Sequence, residues 1–201
     1  MNQAIFDLFQ LELPQLEARL TQLQAAIAPP DEAARAACKA RWDAVGKPLG
    51  SLGLLETDTQ KIAALTGSAE LDLSARTLLV FCADNGVVAQ GVSQCGNEVT
   101  GFVARALAEG RSSACTMARV ARCRVQPVDM GVHGLGGEEI PGLVRCRVMD
   151  GTADFTQGPA MTRAQTLQAL LAGAALVRQQ AEAGCKLLLI GEMGIGNTTT
   201  S

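Results

Sequence analysis

A run of aliphatics, Lys186-Leu-Leu-Leu-Ile190, feeds directly into Gly191-Glu-Met-Gly-Ile-Gly-Asn-Thr-Thr-Thr-Ser201. A short apolar run bounded by glycine reads as a strand buried on both faces. Such strands belong to parallel sheets, whose strands are joined by crossover helices. The glycines that follow let the backbone approach a ligand closely. Free N–H groups and hydroxyls where a helix begins then bind anions. The pattern confines the chain to an α/β fold with an anion-holding turn after this strand. A helix is expected to open at the threonines, so the chain reads as the front part of a longer protein, truncated at its carboxyl end.

The rest of the sequence supports that frame. Residues 1–66 read as a small helical domain that serves dimerisation. Leu13, Leu16, Leu20, Leu23 and Ile27 fall on one helical face. Pro29-Pro30 ends that segment, and Asp31 is placed to cap a helix running to about Trp42. The stretch 47–53 (KPLGSLG) interrupts, and Leu54 to Leu65 resumes a helix. Residues 67–201 change texture and read as an α/β domain. The run from Arg76 to Ala83 is continuously apolar after Thr77, as a doubly buried strand requires. Residues 98–121 read as one or two alanine-rich helices. Residues 122–129 read as a shorter strand that contains Pro127, and 143–149 as another. Thr162 and Gln165 form a capping box for a helix with Leu167, Leu170, Leu171, Ala174 and Val177 as its apolar stripe and Gly184 as its stop.

In open α/β sheets, ligands bind beyond the carboxyl ends of the strands. Three expected strands end in an acidic residue beside glycine: Asp84-Asn85-Gly86, Asp129-Met130-Gly131 and Glu192-Met193-Gly194. Parallel strands would bring all three tips to one edge, although Gly and Asp are also common in ordinary turns. The spacing Gly191-x-x-x-x-Gly196-Asn197-Thr198 matches a phosphate loop with Asn in place of the lysine. A triphosphate with magnesium would be poorly neutralised there. A single phosphate, as in a mononucleotide or sugar phosphate, suits the residues better. Glu192 is placed to accept hydrogen bonds from ribose hydroxyls or to stabilise developing positive charge, or else serves as a solvated or helix-capping carboxylate.

The bulk properties narrow the partners. Net charge is −3 and no basic run occurs, which argues against a nucleic-acid groove or an anionic membrane surface. No apolar run approaches the roughly 20 residues of a bilayer span. The seven cysteines include no CxxC pair and suit reduced thiols in a cytoplasm. His133, the single histidine, reads as a surface-loop residue, with a general base as the alternative. With no cluster at ligand spacing, no metal is expected. Cys82 and Cys185 are expected in the core; Cys95 lies in a glycine-flanked loop, where lining a pocket is the less favoured of its readings. Met161 and Met193 read as packing residues.

The segments KPLGSLGLLE (47–56), CADNGVVAQGV (82–92), EVTG (98–101), IPG (140–142), GPAMTR (158–163) and GEMGIGNTTTS (191–201) together carry a resemblance. The chain resembles the nicotinate-nucleotide:dimethylbenzimidazole phosphoribosyltransferase family over essentially its whole length. The resemblance implies a Rossmann-like parallel sheet with flanking helices, a small helical N-terminal domain and a homodimer. It implies transfer of phosphoribosyl from nicotinate mononucleotide to a benzimidazole-type base. The product is an α-ribazole phosphate, used in nucleotide loop assembly of cobalamin biosynthesis. No cofactor is implied. Carried onto this sequence, Glu192, Gly194, Asn197, Thr198 and Thr199 would hold the phosphoribosyl group. Asp84, Asn85, Gly86, Cys95 and Met193 would wall the base pocket.

The sequence departs from the family pattern at named positions. Asn85 stands where the family commonly has His, and Cys95-Gly96-Asn97 replaces a segment with an aromatic or Ser followed by Pro. An altered benzimidazole, a purine and a phenol thus remain open as the accepting base. The family's general-base glutamate is expected beyond Ser201, and neither Glu192 nor Asp84 occupies its motif. A non-catalytic mononucleotide-binding module is the alternative reading. Poor autonomous stability, from an uncovered apolar sheet face, is a further expectation.

Overall fold

The structure, a computed structural model, describes residues 3–137 and 139–201. The chain divides into two compact units: residues 23–73, and residues 1–22 together with 74–201. The sequence alone sets the boundary at 66/67 and places the whole N-terminus in the helical part. The division differs because α1 (Gln3–Leu8) packs on α7 (Arg163–Glu182), and Ile5 is buried in the core of the larger unit. Glu17 of α2 (Leu13–Ala25) ties to Arg163 at 2.8 Å.

In the smaller unit, α3 (Glu32–Asp43) packs on α4 (Leu54–Thr66). Asp31 caps α3 as expected, its carboxylate accepting the Ala34 amide at 2.9 Å. The loop between the helices is drawn in by Lys47, which meets Glu56 at 2.7 Å with both side chains largely buried. This ammonium, with the Leu52 amide, holds the Glu56 carboxyl below the usual carboxylate range.

The larger unit is a four-stranded parallel sheet in the order β3-β2-β1-β4, flanked by helices on both faces. Its strands are β1 (Arg76–Ala83), β2 (Cys123–Gly131), β3 (Val144–Arg145) and β4 (Leu187–Met193). Successive side chains of β1 serve opposite faces, which is why the run is apolar without alternation. Val80 and Cys82 pack with Ala104 and Leu107 of α5 (Glu98–Ala108) and Cys115 of α6 (Ser113–Val120). Leu79 packs with Val128, Ile5, and Ala172 and Leu176 of α7 on the other side.

Pro127 lies inside β2, although β2 is flanked by strands on both sides. β3 begins to pair only at Val128, so on that side the missing N–H breaks no rung. The expected strand over 143–149 is only two residues by ladder pairing. The segment still follows β2: the amides of Cys146 and Val148 donate to the carbonyls of Asp129 and Met130 at 2.8 and 3.0 Å. The capping box of α7 is present, with Gln165 N to Thr162 Oγ1 at 3.2 Å and Thr162 N to Gln165 Oε1 at 2.8 Å. The buried stripe of α7 is Leu167, Leu171, Ala172 and Leu176, whereas Leu170 and Val177 are exposed. The helix therefore sits rotated toward Ala172 relative to the sequence expectation, because the facing core comes from Leu79, Val128 and Ile5. Among the described residues β4 has one strand neighbour, and Leu189 and Ile190 are exposed on it. No helix among the described residues is long and apolar enough to cross a membrane.

Cys82 and Cys146 are buried, and Cys185 is only half-buried. Burial, reinforced by the nearby Asp129 charge, pushes the Cys82 thiol up to about 12 from an ordinary value of 9.0. Burial likewise pushes the Cys146 thiol up to about 11. The folded chain thus keeps protons that the unfolded chain releases from about pH 9. This contribution to stability is complete below pH 9 and is lost as pH rises toward the folded values. We expect an alkylating reagent at pH 8 to modify exposed Cys95 and to spare Cys82 and Cys146 until denaturant is added. Mass-spectrometric mapping of the labels checks this, and native labelling of Cys82 would contradict the placement of β1.

Candidate nucleotide site

The two ladders of β1 determine where the tips fall. Cys82 pairs with Asp129 on one side and with Met193 on the other, so the three acidic tips share one edge of the sheet. Each acidic residue has a different environment there.

Asp129 is buried, and its Oδ1 accepts the amides of Gly131 and Val132 at 2.9 and 2.8 Å. Arg147 Nη1 stands 3.4 Å from its Oδ2. Asp84 is also buried, and its Oδ2 accepts the His133 amide at 2.7 Å. Its carbonyl accepts the Thr152 amide at 3.0 Å. These carboxylates knit the loops after β1, β2 and β3 together. His133 is partly exposed as the sequence suggests, yet it is not isolated: its Nδ1 lies 3.1 Å from Asp150. Arg147 also contacts the Asp150 carboxylate. His133, Arg147 and Asp150 are absent from the sequence-derived site. Their loop positions carry no signal that they meet across two connections.

Glu192 is exposed and lies within β4, not in the turn, because the strand runs on to Met193. It is the register partner of Phe81, so it faces the α7 side of the sheet. A cavity of about 360 Å3 opens on that side between the tips of β1 and β2 and α7. Phe81, Met130, Val148, Met161 and Leu170 line it. Met193 faces the opposite side and packs against the core beneath α5.

The turn itself is Gly194-Ile195-Gly196, and the one-turn helix α8 (Asn197–Thr200) opens there. A Cβ on Gly194 would collide with the Ala83 carbonyl oxygen and stand 2.9 Å from Asn85 Nδ2. Gly196 has φ +84°, and a Cβ there would lie 2.8 Å from Val88 Cγ2. Both positions therefore demand glycine, one for space and the other for conformation as well. Asn197 Nδ2 donates to Glu192 Oε1 at 2.6 Å, and the Thr198 amide is turned onto Asn197 Oδ1 at 2.9 Å. Asn85 Nδ2 donates to the Ile195 carbonyl at 3.0 Å. The Ile195 amide donates to Thr100 Oγ1 at 3.1 Å. Thr100, on α5, is fully buried and is not among the expected site residues; its place in the EVTG segment is the available signal.

Of the other expected base-pocket residues, Gly86 packs against the backbone of 152–154, with its amide on Thr152 Oγ1 at 3.2 Å. Cys95 is exposed in the loop before α5. The expected residues thus separate. Gly194, Asn197, Thr198 and Thr199 lie in the turn and short helix after β4, with Glu192 near the end of the strand before them. Asn85 touches that turn, while Asp84 and Gly86 are taken up in holding the neighbouring loops. Among the described residues, no group of three or more His, Cys, Asp or Glu side chains is arranged to hold a metal ion.

A glycine-rich turn at the carboxyl edge of a parallel sheet, beside an exposed carboxylate, places the chain among open-sheet α/β proteins, whose ligands bind at strand ends. A family model described as phosphoribosyltransferase matches residues 27–201. A protein of Chlorobaculum parvum is 41% identical over 181 residues, covering 90% of this chain and 51% of its own length. A protein of Halalkalibacterium halodurans is 42% identical over 155 residues, covering 77% and 43%. Both bear the name nicotinate-nucleotide–dimethylbenzimidazole phosphoribosyltransferase. A crystal structure under the same enzyme name, from Thermus thermophilus, superposes with a TM-score of 0.78 at 40% identity. That match covers 84% of this chain and 51% of the other. The chain belongs to this phosphoribosyltransferase family. It spans about half the length of the curated relatives it matches.

The collision at Gly194 yields a direct expectation. Gly194→Ala should destabilise the chain by roughly 1–3 kcal/mol, the usual cost of overpacking. Gly158→Ala should be neutral or slightly stabilising, since Gly158 has open space and no positive φ. Urea titrations of the two variants check the contrast, and equal midpoints would contradict the close contact of the β1 and β4 tips.

Proposed function

We propose that the chain binds nicotinate mononucleotide at the turn after β4. In this reading it carries the phosphoribosyl-binding part of a nicotinate-nucleotide:dimethylbenzimidazole phosphoribosyltransferase. The observation that carries the reading is the fixed turn 194–199, with Glu192 and Asn197 hydrogen-bonded beside it at 2.6 Å. The phosphate lies against the Gly194 and Gly196 amides and the Thr198 and Thr199 hydroxyls, and Glu192 receives the ribose hydroxyls. No lysine is needed for one phosphate, because hydrogen bonds from fixed neutral donors to a charged acceptor are the strong kind.

In the reaction, the bond from ribose C1′ to the pyridinium nitrogen of nicotinate breaks, and its electron pair returns to the ring. The unprotonated ring nitrogen of the benzimidazole-type base forms the new bond to C1′, and the other ring nitrogen releases its proton, so the product ring is neutral. The leaving group is already cationic, so the protein's contribution is to orient two rings and accept one proton. Asp84 is fully buried; its Oδ2 accepts the His133 amide, while its Oδ1 has no hydrogen-bond partner among the described residues. Glu192 holds Asn197 through Oε1 and serves the ribose in this reading. The product, an α-ribazole phosphate, belongs to cobalamin lower-ligand assembly. A homodimer acting in the cytoplasm is part of the same proposal, supported by family membership alone.

Calorimetric titration with nicotinate mononucleotide is expected to show saturable binding. Gly196→Ala should weaken it by roughly tenfold, since the left-handed φ strains a residue with a Cβ by about 1–3 kcal/mol. Nicotinate release on adding dimethylbenzimidazole distinguishes the transferase from a module that binds without turnover. No binding of the mononucleotide at all would overturn the reading.

A further inference from the structure

The departure at Asn85 has a structural use that reading it as a wall of the base pocket does not provide. Its side chain points across the sheet edge, from the β1 tip to the β4 turn. Nδ2 donates to the Ile195 carbonyl at 3.0 Å, and the Thr200 hydroxyl approaches Oδ1 at 3.4 Å. From the α5 side, Thr100 Oγ1 accepts the amide of the same residue, Ile195, at 3.1 Å. Both polar groups of the Ile195 backbone are thereby consumed by side chains from two other elements, 110 and 95 residues away. Gly194 is pressed on the Ala83 carbonyl beneath them.

We infer that Asn85 and Thr100 are positioning residues for the phosphoribosyl ligand: they grip Ile195 from both sides and so fix the flanking Gly194 and Gly196 amides against which the phosphate sits. The inference rests on the mononucleotide reading above. Three features favour a grip over incidental contacts. Thr100 is fully buried, so its hydroxyl has little choice of partner. Asn85 donates to Ile195 while its Oδ1 lies 3.4 Å from the Thr200 hydroxyl, so its side chain spans both ends of the turn. The two glycines of the turn bring no side chains of their own, so backbone hydrogen bonds bear much of its order. Without the grip, its order would depend on the single turn of α8. The donors presented to the phosphate are neutral, so their alignment sets the affinity. Asn85 thereby acts on the mononucleotide and leaves choice of base to other residues.

The test uses the 201-residue chain and four variants: Asn85→Ala, Asn85→His, Thr100→Val and Thr100→Ser. Calorimetry with nicotinate mononucleotide, and separately with 5,6-dimethylbenzimidazole, reads binding. Hydrogen exchange of residues 194–199 without ligand reads the grip. Asn85→Ala and Thr100→Val should each weaken mononucleotide binding by roughly tenfold, as expected when a backbone group loses its buried partner. Both should speed exchange of the turn and leave benzimidazole binding unchanged. Thr100→Ser keeps the hydroxyl and Asn85→His keeps a donor, so both should stay within about threefold of the parent, a difference near 0.65 kcal/mol. General unfolding would weaken both ligands together, which the benzimidazole arm detects. If the parent binds mononucleotide and the Ala and Val variants bind it equally well, the grip is overturned and the functional reading stands. A parent that binds no mononucleotide overturns both. Faster exchange without weaker binding also overturns the inference, since the grip would then serve the fold alone.

Discussion

The larger unit depends on β1 being paired in parallel on both sides. One strand, Arg76–Ala83, supplies the ladder for β2 and for β4 and the side chains for both faces of the sheet. Parallel pairing has a positional consequence that antiparallel pairing lacks: every carboxyl tip lies at the same edge. Three loops then crowd into the space of one. The crowding explains why glycine recurs there, since carbonyls and side chains of neighbouring loops occupy the places where Cβ atoms would stand. It also explains why Asp84 and Asp129 are buried as acceptors of backbone amides. Loops that end together must satisfy each other's polar groups.

The ladder is legible in the sequence because its signals are local. An unbroken apolar run from Leu78 to Ala83, a capping box at Thr162 and Gln165, and an Asp after two prolines each specify structure within one turn or strand. What is not legible depends on tertiary choice. Whether residues 143–149 form a full strand rests on how far β2 offers an edge, and the chain follows β2 with spaced hydrogen bonds outside the ladder. The rotation of α7 is hidden for a similar reason. Leu170 and Val177 are as apolar as Leu171 and Leu176, and only the position of Leu79 and Val128 decides which pair is covered. The grouping of α1 with the α/β unit turns on Ile5, a single residue in a six-residue helix.

The site shows the same division. The turn after β4 can be read from its own residues, since two glycines, an asparagine and three threonines have few other uses. Residues that act across the edge cannot. Thr100 is one threonine in a helix, and Asn85 one asparagine in a turn, until the strands place both against Ile195. Adjacency to Asp84 in the sequence groups Asn85 with the base pocket. In the structure the two diverge, Asp84 toward the loop of His133 and Asn85 toward β4.

A phosphate site without a lysine places a particular demand on its scaffold. A cation attracts an anion over several ångströms and tolerates misalignment, because Coulomb energy falls slowly with distance. An amide N–H does not, since its hydrogen bond weakens steeply below about 120°. A turn of neutral donors must therefore be held in shape before the ligand arrives, or the ordering entropy counts against binding at about 1–2 kcal/mol for each residue fixed. For a turn of three residues that cost rivals the roughly 4 kcal/mol of a millimolar complex. Two side-chain bonds on one backbone unit, a carbonyl oxygen beneath Gly194 and a valine methyl beneath Gly196 restrict this turn from several directions. In the proposed phosphate site, the asparagine at the lysine position of the phosphate-loop spacing and the density of contacts around Ile195 serve one end: rigidity takes the place of charge.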